Sequence, residues 1–259
     1  MKATKNIKLA NFAIAILLLF LSTSCSVFQS SKTTAKLHYN EGESFLEANE
    51  LEKAVESFSK AIELDPQMDI AYVDRGVAFD RLGNYEKALA DYNQSIQLNP
   101  NSSKAYYNRA VAFYHLQKID EALNDYAKAA ELDPTDIYAL INRADIFYSL
   151  ENFEQAVQEA TKAIEIDTEA SDAYALRASS LGRLERVPEA FADYEKALSL
   201  NPQNTGLYVN RGIDYAISGQ LELALQDLEK FLELNPDTPD KERIEGMIQQ
   251  LRNDIAARN

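Results

Sequence analysis

The sequence predicts an all-α solenoid of stacked helical hairpins. Two periodicities and one absence predict it. Prolines recur at Pro66, Pro100, Pro134, Pro202 and Pro236 on a beat of 34 residues, and the single missing stroke falls on Thr168. Alanines keep the same time at Ala54, Ala88, Ala122, Ala156, Ala190 and Ala224. Self-similarity at a fixed period of this size marks units that bury their apolar faces on one another. No segment carries the apolar–polar alternation of a strand. Composition agrees. Among 259 residues, 46% are apolar, too many for a disordered acidic tail, and Gly and Pro together are too scarce for a fibrous chain.

The first element is an address. Lys2, Lys5 and Lys8 form a positive segment, Phe12 to Leu21 is an unbroken apolar run, and Ser22, Thr23 and Ser24 lead to Cys25, the only cysteine. That order is the layout of a secretory signal over residues 1–24. The run is too short to span a bilayer as a helix, which needs roughly 18 apolar residues or more. Residues 25–34 then read as the cysteine and a polar tether, of which the nine residues 26–34 reach about 30 Å when extended.

Six units follow, at 35–68, 69–102, 103–136, 137–170, 171–204 and 205–238. Each reads as two helices. In the third, Ala105, Tyr106, Arg109, Ala110 and Phe113 mark one apolar stripe, and Ile119, Ala122, Leu123, Tyr126, Ala129 and Ala130 mark the next. Short turns such as Gly83-Asn84 and Gly219-Gln220 join the pair. An Asp-Pro or Asn-Pro then ends the second helix, because proline disfavours helix at the residue before it. Pro188 opens a second helix, where a missing N–H costs little. Residues 239–259 supply a cap: Ile244, Met247, Ile248, Leu251 and Ile255 form one stripe in an otherwise charged helix.

Two family resemblances rest on these residues. Leu21 to Cys25 resembles the lipobox of bacterial lipoproteins, although Ser22 stands where that family usually has leucine. The resemblance implies palmitoylation-type acylation of Cys25, an acyl anchor in the membrane and, with Ser26 rather than aspartate next in line, an address at the outer membrane. The repeats resemble the tetratricopeptide repeat (TPR). That family carries a large residue at position four, then small at eight, aromatic at eleven, alanine at twenty, aromatic at twenty-four, alanine at twenty-seven and proline at thirty-two. In the third unit these are Tyr106, Ala110, Phe113, Ala122, Tyr126, Ala129 and Pro134. The fourth unit departs most, with Leu140, Ala160 and Thr168. The resemblance implies a right-handed TPR superhelix whose first helices line an inner groove for peptide or protein partners.

The inventory points away from catalysis, cofactors and metals. His38 and His115 lie in different units and far from any cysteine, no histidine pair has zinc spacing, and no glycine-rich phosphate loop is present. A formal charge of −15 disfavours nucleic acid. Arg75, Arg109, Arg143, Arg177 and Arg211 recur in phase with Asp91, Asp125, Asp193 and Asp227, which fits mutual pairing between helices.

The groove positions implied by the resemblance give the candidate peptide-binding residues. The sixth position reads Asn40, Asp74, Asn108, Asn142, Leu176 and Asn210, nearly a ladder of amides, each able to donate to and accept from a peptide backbone. Tyr107, Tyr114, Tyr138 and Tyr148 add amphipathic contact area, and Tyr39 sits in the same set. Against this stands helix packing, which accounts for Tyr39 and Tyr107 nearly as well. The lysine and asparagine of the chaperone-tail carboxylate clamp are missing, since the first two units place Tyr39, Glu43, Val73 and Val77 there. The expected function is a non-catalytic adaptor lipoprotein. The alternative is glycan capture, which the lack of tryptophan disfavours.

Overall fold

The computed structural model describes residues 31–258. The signal segment, Cys25 and the first part of the tether lie outside the described residues. Among the described residues there are thirteen helices and no strand. They fall into two compact units, one ending at Leu132 and one beginning at Asp133. The first unit holds α1 (31–47), α2 (Leu51–Leu64), α3 (Asp69–Arg81), α4 (Tyr85–Leu98), α5 (Ser103–His115) and α6 (Ile119–Leu132). The second holds α7 (Tyr138–Ser149), α8 (Phe153–Ile166), α9 (Ser171–Arg183), α10 (Val187–Leu200), α11 (Gly206–Ile217), α12 (Leu221–Leu234) and α13 (Lys241–Arg258). Each unit is an all-α stack of antiparallel hairpins.

One expectation needs correction. Residues 31–34, expected to be tether, are helical and belong to α1. Their side chains explain why: Ser31 Oγ donates to the Leu64 carbonyl at 2.9 Å, and Lys32 lies 3.8 Å from Asp65. These contacts to the end of α2 outweigh the weak helix propensity of Ser and Thr.

Two turns repeat down the chain. The turn inside each hairpin is closed by a left-handed residue at the same position: Asn49, Gly83, Gln117, Glu151, Glu185 and Gly219 all have φ between 58° and 79°. Only two are glycine, so four hairpins accept a side chain in a region that usually disfavours one. The turn between hairpins is an Asx turn. The Oδ1 atoms of Asp65, Asn99, Asp133, Asp167 and Asn201 accept the backbone N–H two residues on, at 2.8–3.2 Å. This accounts for the missing proline at Thr168. Asp167 makes the turn by itself, and proline elsewhere only reinforces it.

Small residues set the spacing within each hairpin. Ala54, Ala88, Ala122, Ala156, Ala190 and Ala224 are all fully buried. Gly42 and Gly76 lie so close to the rings of Phe58 and Tyr92 that an added Cβ would sit 2.6 Å from ring carbons. The aromatic side chains fill the wedge: Tyr92, Tyr126 and Tyr194 are 1–3% exposed. At the end of the second unit, Ile244, Ile248 and Leu251 of α13 complete a core with Leu228 and Phe231, and Met247 and Ile255 pack at its edge.

The arginines pair as expected, and they do more than pair. Nε and Nη2 of Arg75, Arg109, Arg177 and Arg211 make two-pronged bonds of 2.6–2.8 Å to Asp91, Asp125, Asp193 and Asp227 on the following helix. The remaining nitrogen of three of them reaches back to the preceding hairpin: Arg75 to Ser59 Oγ at 3.0 Å, Arg109 to Asn93 Oδ1 at 2.6 Å, Arg177 to Thr161 Oγ1 at 3.2 Å. Each guanidinium thus ties three helices. It also sits 5.3–5.9 Å from aromatic rings on its own helix, as Arg109 does with Tyr106 and Phe113.

Removing one partner isolates a buried charge. Arg109→Met leaves the Asp125 carboxylate, 7% exposed, without its cation. It is expected to cost about 3 kcal/mol in urea denaturation, and Arg109→Met with Asp125→Leu to recover most of that. A single variant as stable as the wild type would show that the pair has no structural role.

Candidate functional site

The second unit carries a hollow of about 420 Å³ formed by α7, α9, α11 and the Asn204 turn. Its geometry follows from the repeat. First helices of successive hairpins lie side by side, so the same repeat position on each faces the same way. Asn142, Leu176 and Asn210 hold one such position and line the hollow together. Ile141, Ala175 and Leu207 supply apolar wall, and Tyr148 closes one side, packed edge-on against Phe153 at 5.5 Å. Asn210 Nδ2 donates to Ser179 Oγ at 3.2 Å, which fixes its amide at the wall.

A smaller recess of about 80 Å³ shares Tyr148, Ser179 and Asn210 with this hollow and ends on Arg183, Tyr194 and Asp214. The Tyr194 hydroxyl donates to Asp214 Oδ2 at 3.0 Å. Gly182 makes room for this carboxylate, since any side chain there would strike it. Burial holds the Asp214 carboxyl above its ordinary range, against the opposing pull of the Tyr194 hydrogen bond and the Arg183 charge. Burial likewise pushes the Tyr194 phenol up, helped by the Asp214 charge. Arg183 lies over the Phe153 ring at 5.1 Å.

Two more carboxylates line the main hollow. Asp145 and Asp172 are both solvent-reached, and neither has a hydrogen bond or ion pair among the described residues. Asp145 is nevertheless held above its ordinary range by the groove walls that crowd its water. A larger hollow, about 470 Å³, lies between α11 and α12. Its wall includes Arg211 and Asp227, which satisfy each other, and Lys230 and Glu233, which pair at 2.9 Å.

The first unit treats the expected ladder differently. Asn40 is exposed, but Asp74 is 3% exposed and is spent internally. It accepts from the Tyr39 hydroxyl at 2.7 Å and from Lys104 Nζ at 2.7 Å. Burial and Asp74 push the Tyr39 phenol up, and Lys36 sits 4.1 Å over its ring. Asn108 turns back to donate to its own helix, to the Lys104 carbonyl at 2.9 Å. Tyr107 packs edge-on against Tyr126 at 5.5 Å. Tyr114 meets His115 edge-on at 6.3 Å, and His115 in turn stacks on Tyr85 at 4.8 Å. His38 bonds Glu41 one turn along at 2.9 Å. Of the expected residues, Asn142, Asn210 and Tyr148 share one hollow. Tyr138 is 63% exposed and is not on its wall.

Asp145, Asp172, Ser179, Asn204 and Asp214 were missed. The first three occupy groove positions nine, two and nine of their repeats, so reading those positions unit by unit finds them. Asn204 comes from a turn, and Asp214 is presented only because Gly182 lacks a side chain.

Comparison with known proteins now decides the family. The tetratricopeptide repeat model matches residues 39–103, 73–137 and 141–205, and a second model of the same description matches 180–249. The chain belongs to the tetratricopeptide repeat family. TPR chains serve as protein-interaction scaffolds. Solved TPR structures share the fold. PilF of Pseudomonas aeruginosa aligns with a TM-score of 0.72 at 15% identity, over 87% of this chain and 99% of that one. A tetratricopeptide repeat protein from Parabacteroides merdae gives 0.69 at 22%, over 85% and 88%. YrrB, a TPR protein with an unusual peptide-binding site, gives 0.61 at 23%, over 71% and 94%. No curated protein sequence matches the chain at a significant level.

The raised Asp214 carboxyl makes a stability prediction. A carboxyl whose folded value exceeds its unfolded value loses stability as pH climbs from the unfolded value through the folded one. The loss grows as pH rises above the free aspartate value. Asp214→Asn, which keeps an acceptor for Tyr194, is therefore expected to be more stable than wild type at pH 7. The gap should close below about pH 4, where the free aspartate is protonated. Urea midpoints at the two pH values measure it, and a variant less stable at pH 7 would refute the burial argument.

Proposed function

We propose that this TPR protein is a non-catalytic scaffold that binds an extended peptide segment of a partner protein in the groove of α7, α9 and α11. One observation carries the reading: amide, leucine and amide, at Asn142, Leu176 and Asn210, stand at one repeat position on three successive helices. Amides pair with a peptide backbone whatever its sequence, and the intervening leucine takes a side chain. The absence of histidine, cysteine and lysine from the groove lining favours binding over turnover. Ser179 Oγ, beside the asparagines, is engaged by Asn210. The fold similarity to YrrB, described with its peptide-binding site, is in keeping with this.

The test is selection of phage-displayed random dodecapeptides on the purified protein. Sequences enriched on wild type are expected to be lost on Leu176→Asp and weakened about tenfold by Asn142→Ala with Asn210→Ala, at unchanged helical circular dichroism. Enrichment indifferent to both variants would remove the groove from the function.

We propose further that the scaffold works at the bacterial envelope, held by acylated Cys25, with Ser26 favouring the outer membrane. More than one acyl chain gives stable anchoring where one does not. Cys25→Ser is expected to abolish palmitate labelling and move the protein from the membrane to the soluble fraction. A variant that still sediments with membranes would rule the anchor out.

A further inference from the structure

We infer that the groove of α7, α9 and α11 selects a cationic segment: a peptide that sets an aliphatic side chain against Ile141, Leu176 and Leu207 and directs a lysine or arginine to Asp145 and Asp172. This rests on the peptide-binding reading and adds the chemical class of the partner.

The argument is one of unmet charge. Carboxylates are plentiful on this chain, and those of the arginine clamps are matched: Asp91, Asp125, Asp193 and Asp227 each hold an arginine fork, and Glu159 holds Arg143 and Lys162 at 2.8 Å each. Asp74 in the first unit has Tyr39 and Lys104. Asp145 and Asp172 line the hollow as exposed carboxylates, and neither has a hydrogen bond or ion pair among the described residues; the walls partly desolvate Asp145. Among the described residues, the cation lining the adjoining recess is Arg183. It is laid over the Phe153 ring and faces Asp214, a third carboxylate. No lysine or arginine lines the main hollow. A concave wall with apolar faces concentrates the field of such charges and draws the opposite sign. An acidic peptide would meet two like charges and find no donor but the amides. A cationic one meets charge-assisted acceptors for its ammonium or guanidinium, which are stronger than neutral hydrogen bonds. The aliphatic neighbour follows from Leu176, which lies between the two asparagines in repeat order and has no polar capacity of its own.

The test compares peptide selections on wild type and on Asp145→Asn with Asp172→Asn, both changes being isosteric on solvent-reached side chains. Wild type is expected to enrich dodecapeptides of net positive charge with an aliphatic residue beside a lysine or arginine. The double variant should lose that excess charge while still enriching aliphatic sequences. The strongest wild-type peptide, labelled with fluorescein and read by anisotropy, should bind at least tenfold more weakly after Lys/Arg→Gln replacement. It should weaken similarly on the double variant. Neutral or acidic consensus peptides that still require Leu176 would overturn the charge selection and leave the peptide-binding groove standing. An equal preference for cations on the double variant would assign it to the general acidity of the chain and overturn the site. No Leu176-dependent enrichment of any kind would overturn both.

Discussion

The guanidinium clamp is the constraint on which the stacking depends. An arginine on a first helix and a carboxylate 16 residues later close the hairpin. In three repeats the same arginine also reaches a residue 16 earlier. One side chain therefore reads the distance to two neighbours at once. Burying such a pair adds little net stability over an apolar substitute, because desolvation offsets much of the attraction. Geometry is what it adds: a planar fork meets a carboxylate in one arrangement, whereas alanine and tyrosine packing alone tolerates sliding. The aromatic residues on either side of each guanidinium shield it from water, and the clamp keeps those rings in the wedge between helices.

The fourth repeat shows the same constraint by departing from it. Glu159 replaces the usual aspartate, and the extra methylene costs the fork. Arg143 Nη1 keeps one bond of 2.8 Å, while its buried Nε is left without a partner. Lys162 supplies the second cation from the same helix. Ala160 stands where the other repeats put a large side chain, Phe58, Tyr92, Tyr126, Tyr194 or Leu228, and Thr168 where they put proline. All three changes fall within the fourth repeat, residues 137–170.

The fold was legible because it is written as local periodicity. The 34-residue beat, the alanine contacts, the arginine pairing and the capping stripe each depend on residues a few turns apart on helices of standard geometry. The groove was legible only in part. Asn142, Asn210 and Tyr148 were found by repeat position, but position alone does not say where a side chain turns. Asp74 looked like a rung and is instead a buried acceptor, because Tyr39 and Lys104 stand on either side of it one repeat away. Asn108 could bond its own helix, and did. Asp214 could not be read at all from its own position, since its carboxylate occupies space that a glycine on another helix vacates. Turns were half legible: Gly83 and Gly219 announce the left-handed residue, while Gln117, Glu151 and Glu185 adopt it without any compositional sign.

Apart from the solvated carboxylates of the exposed helix faces, the acidic residues of this chain include two kinds of charge. One kind is internal to the repeat. It is bonded, shielded by rings and indispensable to register, so selection on binding cannot alter it without loosening the stack. The other kind lines the groove of the second unit, where the repeat demands only that a side chain fit. Position six can be asparagine, aspartate or leucine, position two lysine, isoleucine, tyrosine, aspartate or glycine, and position nine carboxylate, serine or alkyl, with the helices unchanged beneath them. A scaffold of this design separates what holds it up from what it displays. The groove-face positions vary between repeats, whereas the clamp positions recur.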